Sequence, residues 1–210
     1  MKRTFYTELS KVFGVLLVLI GAAALIGGSF SHNYVTGQLK QEGISMPTQQ
    51  GVDALTEQAS KDALAPYVGE KLTTGTQAEL YANHYIWQHM QSAAKNFKTT
   101  DGKALAPEQY NYAGIGDFSN VVKAVLKAQG LSDTEINAHP DVVALNALRA
   151  SNFQGDTLRG MLLNAYAWWL IGTIAIWVGV AALILGAALL AFGLLRKPAV
   201  EPEVTPLSRQ

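Results

Sequence analysis

The chain has 210 residues, 16 Lys and Arg against 16 Asp and Glu, and no cysteine. Zero net charge leaves no basic field to hold nucleic acid. The missing cysteines exclude disulfides, thiolate metal sites, iron–sulfur clusters, a Cys nucleophile and a lipid-modified Cys. Only 15% of residues are charged, against about 25% in ordinary soluble domains, and two uncharged stretches hold the shortfall.

Residues 1–11 form a short tail carrying Lys2, Arg3 and Lys11. Residues 12–30 are apolar or small throughout. At 1.5 Å per residue that length covers about 28 Å, close to a hydrocarbon core of about 30 Å. This predicts a first transmembrane helix. A cleaved signal peptide is the rival reading, since a charged start and Ala22-Ala23-Ala24 fit that pattern. The apolar run continues past those alanines, however, and an h-region is only about 7–15 residues long.

Residues 31–164 carry ten Lys and Arg against thirteen Asp and Glu, a net charge of −3. Helix signals dominate this region. A helix is expected over 76–94, with Ala78, Ala82, Ile86, Met90 and Ala93 on one face. The segments around Met46-Pro47, 98–102 and 110–116 read as loops. Asp117 is expected to cap a helix lined by Phe118, Val121, Val122, Val125 and Leu126 and ended by Gly130. Ser132 to Glu135 has the form of a capping box, and Pro140 is expected to open a helix through Leu148. Met161-Leu162-Leu163 leads without a break into the second span, residues 165–195. Residues 196–210 contain Pro198, Pro202 and Pro206 and are expected to be disordered.

Positive residues beside spans stay cytoplasmic. Lys2, Arg3 and Lys11 before the first span, and Arg196 and Lys197 after the second, place both termini inside and 31–164 outside a plasma membrane. Tyr166, Trp168 and Trp169 sit where the second span meets the outer interface, a level that amphipathic rings prefer. The expected fold class is therefore mostly α: a two-helix antiparallel transmembrane hairpin with a mainly helical extracytoplasmic domain between the spans.

Glycines recur every seven residues in both spans, at Gly14, Gly21 and Gly28 and at Gly172, Gly179, Gly186 and Gly193. In lipid no hydrophobic drive pulls helices together, so small residues act by letting backbones touch. Counting inward from the charged ends sets Gly21 opposite Gly186 and Gly28 opposite Gly179. The alternative is that one seam faces another protein. Neither span core holds an ionisable residue of the kind a proton path or ion channel needs.

Candidate chemistry is sparse. His84 and His89 are five residues apart, which on an α-helix turns them about 140° from one another. A zinc pair needs a spacing of three or four. His89 is expected to pack or hydrogen-bond at the apolar face and His84 to face water. Ser92-Ala93-Ala94-Lys95 has the Ser-x-x-Lys form of penicillin-recognising enzymes, but the Lys-Thr-Gly element is missing and the region is too small for that fold. Tyr81, Tyr85, Trp87, Tyr110 and Tyr112 read as core or interface before they read as a pocket. No catalytic, metal or cofactor-binding residue is assigned.

Two stretches carry a resemblance. One is Gly75-Thr76-Gln77-Ala78-Glu79-Leu80-Tyr81-Ala82-Asn83-His84-Tyr85-Ile86, followed by His89 and by Asp101-Gly102-Lys103. The other is Leu148-Arg149-Ala150-Ser151-Asn152-Phe153 ahead of the second span. Together they resemble a group of small two-span actinobacterial membrane proteins often labelled aromatic ring-opening dioxygenases. The residues offer no iron site of two His and a carboxylate to match that label. The resemblance implies an envelope protein. The expected role is non-enzymatic: an accessory or scaffold subunit of a larger envelope or respiratory membrane complex, in contact with lipid and not with nucleic acid. A membrane-anchored ligand-binding or enzymatic domain is the alternative.

Overall fold

The computed structural model describes residues 2–195. The expected tail 196–210, with Arg196 and Lys197, lies outside the described residues, as do the side chains of Lys2 and Arg3. The fold is mostly α, with two long apolar helices packed antiparallel and a helical segment between them. In chain order these are α1 (Lys2–Glu42), α2 (Gln49–Asp53), α3 (Gln58–Leu64), α4 (Gly75–Leu80), a π-helical turn (Tyr81–Ile86), α5 (Trp87–Asn96), α6 (Tyr112–Ala128), α7 (Asp133–Ala138) and α8 (Pro140–Leu195). Both long helices overrun the expected spans. α1 continues twelve residues past Phe30, and α8 absorbs the separate helix expected over 140–148.

The chain divides into two compact units. Among the described residues, the first contains 2–33 and 170–195. Its helices meet through the glycines, in a register one heptad away from the expected one. A Cβ on Gly14 would lie 3.0 Å from the Gly186 carbonyl oxygen, one on Gly21 2.8 Å from that of Gly179, and one on Gly28 2.6 Å from that of Gly172. Gly193 instead faces Thr7 and the aliphatic stem of Lys11. The two helices are offset by one heptad from the expected register, so that Thr7 and Lys11, and not Gly14, lie beside Gly193. An exact repeat of seven lets glycine meet glycine in either register, so the sequence alone does not choose between them. Polar contacts reinforce the observed one: the Ser10 hydroxyl donates to the Leu189 carbonyl at 2.8 Å, and His32 Nε2 is 3.0 Å from Thr173 Oγ1.

The second unit contains residues 34–169. Its largest core joins Val35 and Leu39 of α1, Met46, Val52, Leu64, Leu72, the face Ala78–Ala82–Ile86–Met90, and Leu162 of α8. Trp169, expected at the outer interface, packs on this core. Gly75 is what admits it, since a Cβ there would lie 2.2 Å from Trp169 Cβ. A second core gathers Ala94, Leu105, Ile115 and Leu145, and a third Leu126, Ile136 and Val142.

Caps fix where the short helices start. The Thr74 hydroxyl accepts from Gln77 N and the Gln77 side chain answers, a full capping box. Ser132 and Glu135 form another, as expected. Gly130, at φ +91°, follows the end of α6 as expected. The expected start of α6 is wrong: Asn111 is its cap, its side chain accepting from Gly114 N at 2.9 Å. Gly114 to Gly116 are thus not loop but a buried first turn. They are glycines because a Cβ on Gly114 would lie 2.4 Å from Gln109 Cα, and one on Gly116 3.1 Å from the Arg149 guanidinium.

Candidate functional site

The helix that begins at Gly75 organises the second unit. Its buried residues Ala78, Ala82, Ile86, Met90 and Ala94 are spaced by four. In an ideal α-helix each step of four overshoots one turn by about 40°, so the stripe would wander. The π turn at Tyr81–Ile86 widens the helix where this drift would accumulate. That explains why Ala94 is buried and Ala93, the expected face residue, is exposed. The turn is also braced from α8. Arg159 Nε donates to the Ala82 carbonyl at 3.1 Å, a guanidinium nitrogen donates to Asn83 Oδ1 at 3.3 Å, and the guanidinium lies 4.5 Å from the centre of a Trp87 ring.

His84 departs from its expected place facing water, while His89 keeps its expected hydrogen-bonded, ring-packed role although it is exposed. His84 is half-buried, with Nδ1 3.0 Å from the Ser60 hydroxyl. His89 is exposed, lies 4.3 Å from the Tyr85 ring centre, and has Nδ1 2.9 Å from the Tyr85 carbonyl oxygen. Behind His84 lies a closed polar network. The buried Gln88 Oε1 accepts from Thr56 N at 3.2 Å, and Gln88 Nε2 donates to the buried Ser60 hydroxyl at 2.8 Å. Ser60 is thus held within the packing by Gln88 and His84 as part of a buried polar network. Ser92 and Lys95 make no side-chain hydrogen bond among the described residues. There, too, no group of three His, Asp or Glu stands close enough to hold a metal.

The expected aromatic cluster separates into four places, one of them Trp87 under Arg159. Tyr81 and Tyr85 meet in a tilted pair with ring centres 5.1 Å apart, and burial raises the Tyr81 phenol above its ordinary pKa, with the neighbouring Tyr85 adding to the rise. Tyr110 joins the second core, its carbonyl accepting from Gln91 Nε2 at 3.0 Å. Tyr112 lies under Arg149, 4.1 Å from guanidinium carbon to ring centre, and 5.8 Å from the Phe153 ring. Tyr112 and Phe153 are both exposed.

Asp101-Gly102-Lys103 forms a tight turn bridged at Lys98 and Ala104. Gly102, at φ +85°, occupies the left-handed region. The Thr99 hydroxyl lies 2.5 Å from Asp101 Oδ1, and this bond is the main reason the Asp101 carboxyl is held down to about 2. The turn docks on the start of α8, where the buried Asp141 accepts from Thr100 N and Thr100 Oγ1, both at 2.9 Å.

One cavity stands out, between α5 and α8, with a volume of about 460 Å³. Ile86, Met90, Leu148 and Leu158 supply an apolar wall, Tyr85, His89 and Ser151 stand along it, and the amide of Asn152 is closed off behind it. Asn152 was read from the sequence only as part of a motif. It lies one heptad after the fully buried Leu145 and is itself 2% exposed, yet its Oδ1 and Nδ2 have no hydrogen-bond partner. The signal available in the sequence was an amide standing where the α8 stripe of Val142 and Leu145 calls for an apolar side chain. No family model, curated protein or solved structure matches this chain.

Proposed function

We propose that this protein is an integral membrane protein whose two long helices cross the bilayer as a hairpin and hold the helical unit 34–169 on the outer side. One observation carries the membrane part. The most apolar windows of α1 and α8 are only 11% and 17% buried, whereas the central helix of a water-soluble core buries most of its surface. The outward faces carry Phe13, Leu19, Ile26, Ile174, Trp177 and Ile184, each 48% exposed or more. In water such a surface far exceeds the apolar patch that a soluble monomer tolerates. In hydrocarbon it is already solvated.

The role we infer is non-enzymatic, as an accessory or scaffold subunit of a larger envelope or respiratory membrane complex. The exposed rings of Tyr112 and Phe153, with the half-buried Arg149 over Tyr112, support this reading, since Tyr and Arg are enriched where partners bind. Extraction in mild detergent followed by affinity capture and mass spectrometry tests it. The reading requires stoichiometric recovery of one set of membrane proteins, weakened by the double change Arg149→Ala, Phe153→Ala. Recovery of the chain alone, equally for wild type and variant, rejects the scaffold role.

A further inference from the structure

We propose that the shelf formed by Tyr112, Asn146, Arg149 and Phe153 recognises a partner polypeptide through a single carboxylate, an Asp or Glu side chain, standing beside an apolar residue. That the occupant is a polypeptide rests on the scaffold reading above; the carboxylate follows from the site itself.

The terminal nitrogens of Arg149 carry the argument. Asn146, Arg149, Ala150 and Phe153 are spaced three, four and seven residues along α8 and so share one face. Tyr112, in the first turn of α6, lies against that face. The guanidinium is fixed in place. Its Nε donates to the Tyr112 carbonyl at 3.3 Å and its carbon lies 4.1 Å from the Tyr112 ring centre. Gly116 leaves it room, since a Cβ there would lie 3.1 Å from that carbon. Yet both terminal nitrogens are without a hydrogen bond or ion pair among the described residues. Neither is among the unpartnered polar atoms closed off from solvent, so both remain reachable. Arg159, the other guanidinium of α8, shows the engaged arrangement: its nitrogens reach the Ala82 carbonyl, Asn83 and, at 3.5 Å, Asp156. A guanidinium already held by its ring contact and its Nε has little freedom left to lose when a ligand meets the rest of its fork.

The surroundings define the ligand. The recess over these residues has a volume of about 300 Å³, and neither an acid nor a second cation lines it. One fixed positive charge matches one negative charge. A phosphate group, at about −1.5 to −2, would bring charge that nothing here neutralises. A planar carboxylate also fits the two-pronged donor geometry of arginine. The rings of Tyr112 and Phe153 are 41% and 59% exposed with centres 5.8 Å apart, so an apolar neighbour of the carboxylate has two rings to cover. The same exposure makes the recess an open shelf, whereas a small-molecule site encloses most of its ligand. Exposed Tyr beside Arg is the composition of a protein-binding surface, and the uncompensated charge selects an acidic partner.

Acetyl-Phe-Asp-amide is the probe and acetyl-Phe-Asn-amide its uncharged counterpart of the same shape. The full-length protein, labelled at the alanine methyl groups and held in detergent micelles, is titrated with each. The Ala150 methyl resonance, identified by its absence in Ala150→Gly, is followed. Both peptides are expected to shift it saturably, the Asp peptide with a Kd about fivefold lower, the ratio for an exposed ion pair of good geometry. High salt is expected to shrink that advantage. Arg149→Gln is expected to equalise the two peptides, and Phe153→Ala to weaken both by a similar factor. The proposal is overturned if the wild type binds the two peptides alike, or if Arg149→Gln keeps the preference. It is equally overturned if phenyl phosphate binds more tightly than benzoate, which would assign the shelf to phosphate groups. Affinity capture tests the scaffold reading separately. A charge preference without a captured complex rejects the scaffold and leaves the carboxylate site standing, whereas a captured complex without the preference rejects the site alone.

Discussion

At the residue scale, the Thr99–Asp101 contact sets a measurable ionisation. The Asp101 carboxyl is held at about 2, first by the Thr99 hydroxyl and then by Lys103. A carboxyl lowered on folding stabilises the fold above its unfolded value and loses that contribution as pH falls through its folded value. For Asp101 the window runs from the ordinary 3.8 down to about 2. Thr99→Val keeps the shape and deletes the hydroxyl, so the Asp101 carboxyl should return toward 3.8, read by its carboxyl carbon resonance during acid titration. An unchanged value would assign the shift to Lys103 alone. The Gln88 amide gives a second residue-scale expectation. Gln88→Leu strands the Thr56 N–H and removes the donor to Ser60. Each orphaned group costs about 1–3 kcal/mol, so denaturant unfolding of the detergent-solubilised chain should show a clear loss. An unaffected midpoint would mean that water replaces the network.

At the element scale, the glycine seam makes a sharper claim than glycine content does. Gly21 and Gly27 both lie in α1, yet a Cβ on Gly21 would lie 2.8 Å from a backbone oxygen of α8, whereas one on Gly27 would meet nothing within 4 Å. A backbone atom cannot swing away as a side-chain end can. Gly21→Ala should therefore weaken helix pairing by about 1–3 kcal/mol, the usual cost of overpacking. Gly27→Ala should be neutral or slightly stabilising, because Ala forms helix more readily by about 1 kcal/mol. Cysteine pairs report the register, since the chain has no native cysteine. Gly21→Cys with Gly179→Cys should cross-link faster than Gly21→Cys with Gly186→Cys, where one heptad displaces the partner by about 10.5 Å along the helix. The reverse order would restore the register deduced from charge alone. The same scale shows what was legible in the sequence. The seam, the Ser132 capping box and the Gly130 stop are local patterns, and each stands in the structure. The Asn111 cap was hidden because three residues of the first turn of α6 include Gly114 and Gly116, which read as loop until Gln109 and Arg149 are seen pressing on them. The burial of His84 was hidden because a π turn changes the direction in which it faces, and no pattern in the residues announced that turn.

At the scale of the whole molecule, the decisive question is which side of a membrane each part occupies. The two long helices meet the length and apolarity needed to cross, and a hairpin returns both ends to one side. On the proposed membrane reading, the cations then choose the side. Lys2, Arg3, Lys11, Arg196 and Lys197 all lie beyond the apolar stretches, and such residues are retained in the cytoplasm. Lys11 is paired with Glu8 at 2.7 Å, but acidic neighbours contribute little to that bias. Alkaline phosphatase, active only outside the cytoplasm, should therefore be active when fused within 98–102 and inactive when fused after Gln210. A fluorescent protein that matures only inside should show the converse. Exchanging Lys2, Arg3 and Lys11 for Gln should weaken the bias without inverting every molecule, because Arg196 and Lys197 still hold the other end. Phosphatase activity at both fusion points would reject the hairpin, since two crossings cannot place a central segment and a terminus on the same side.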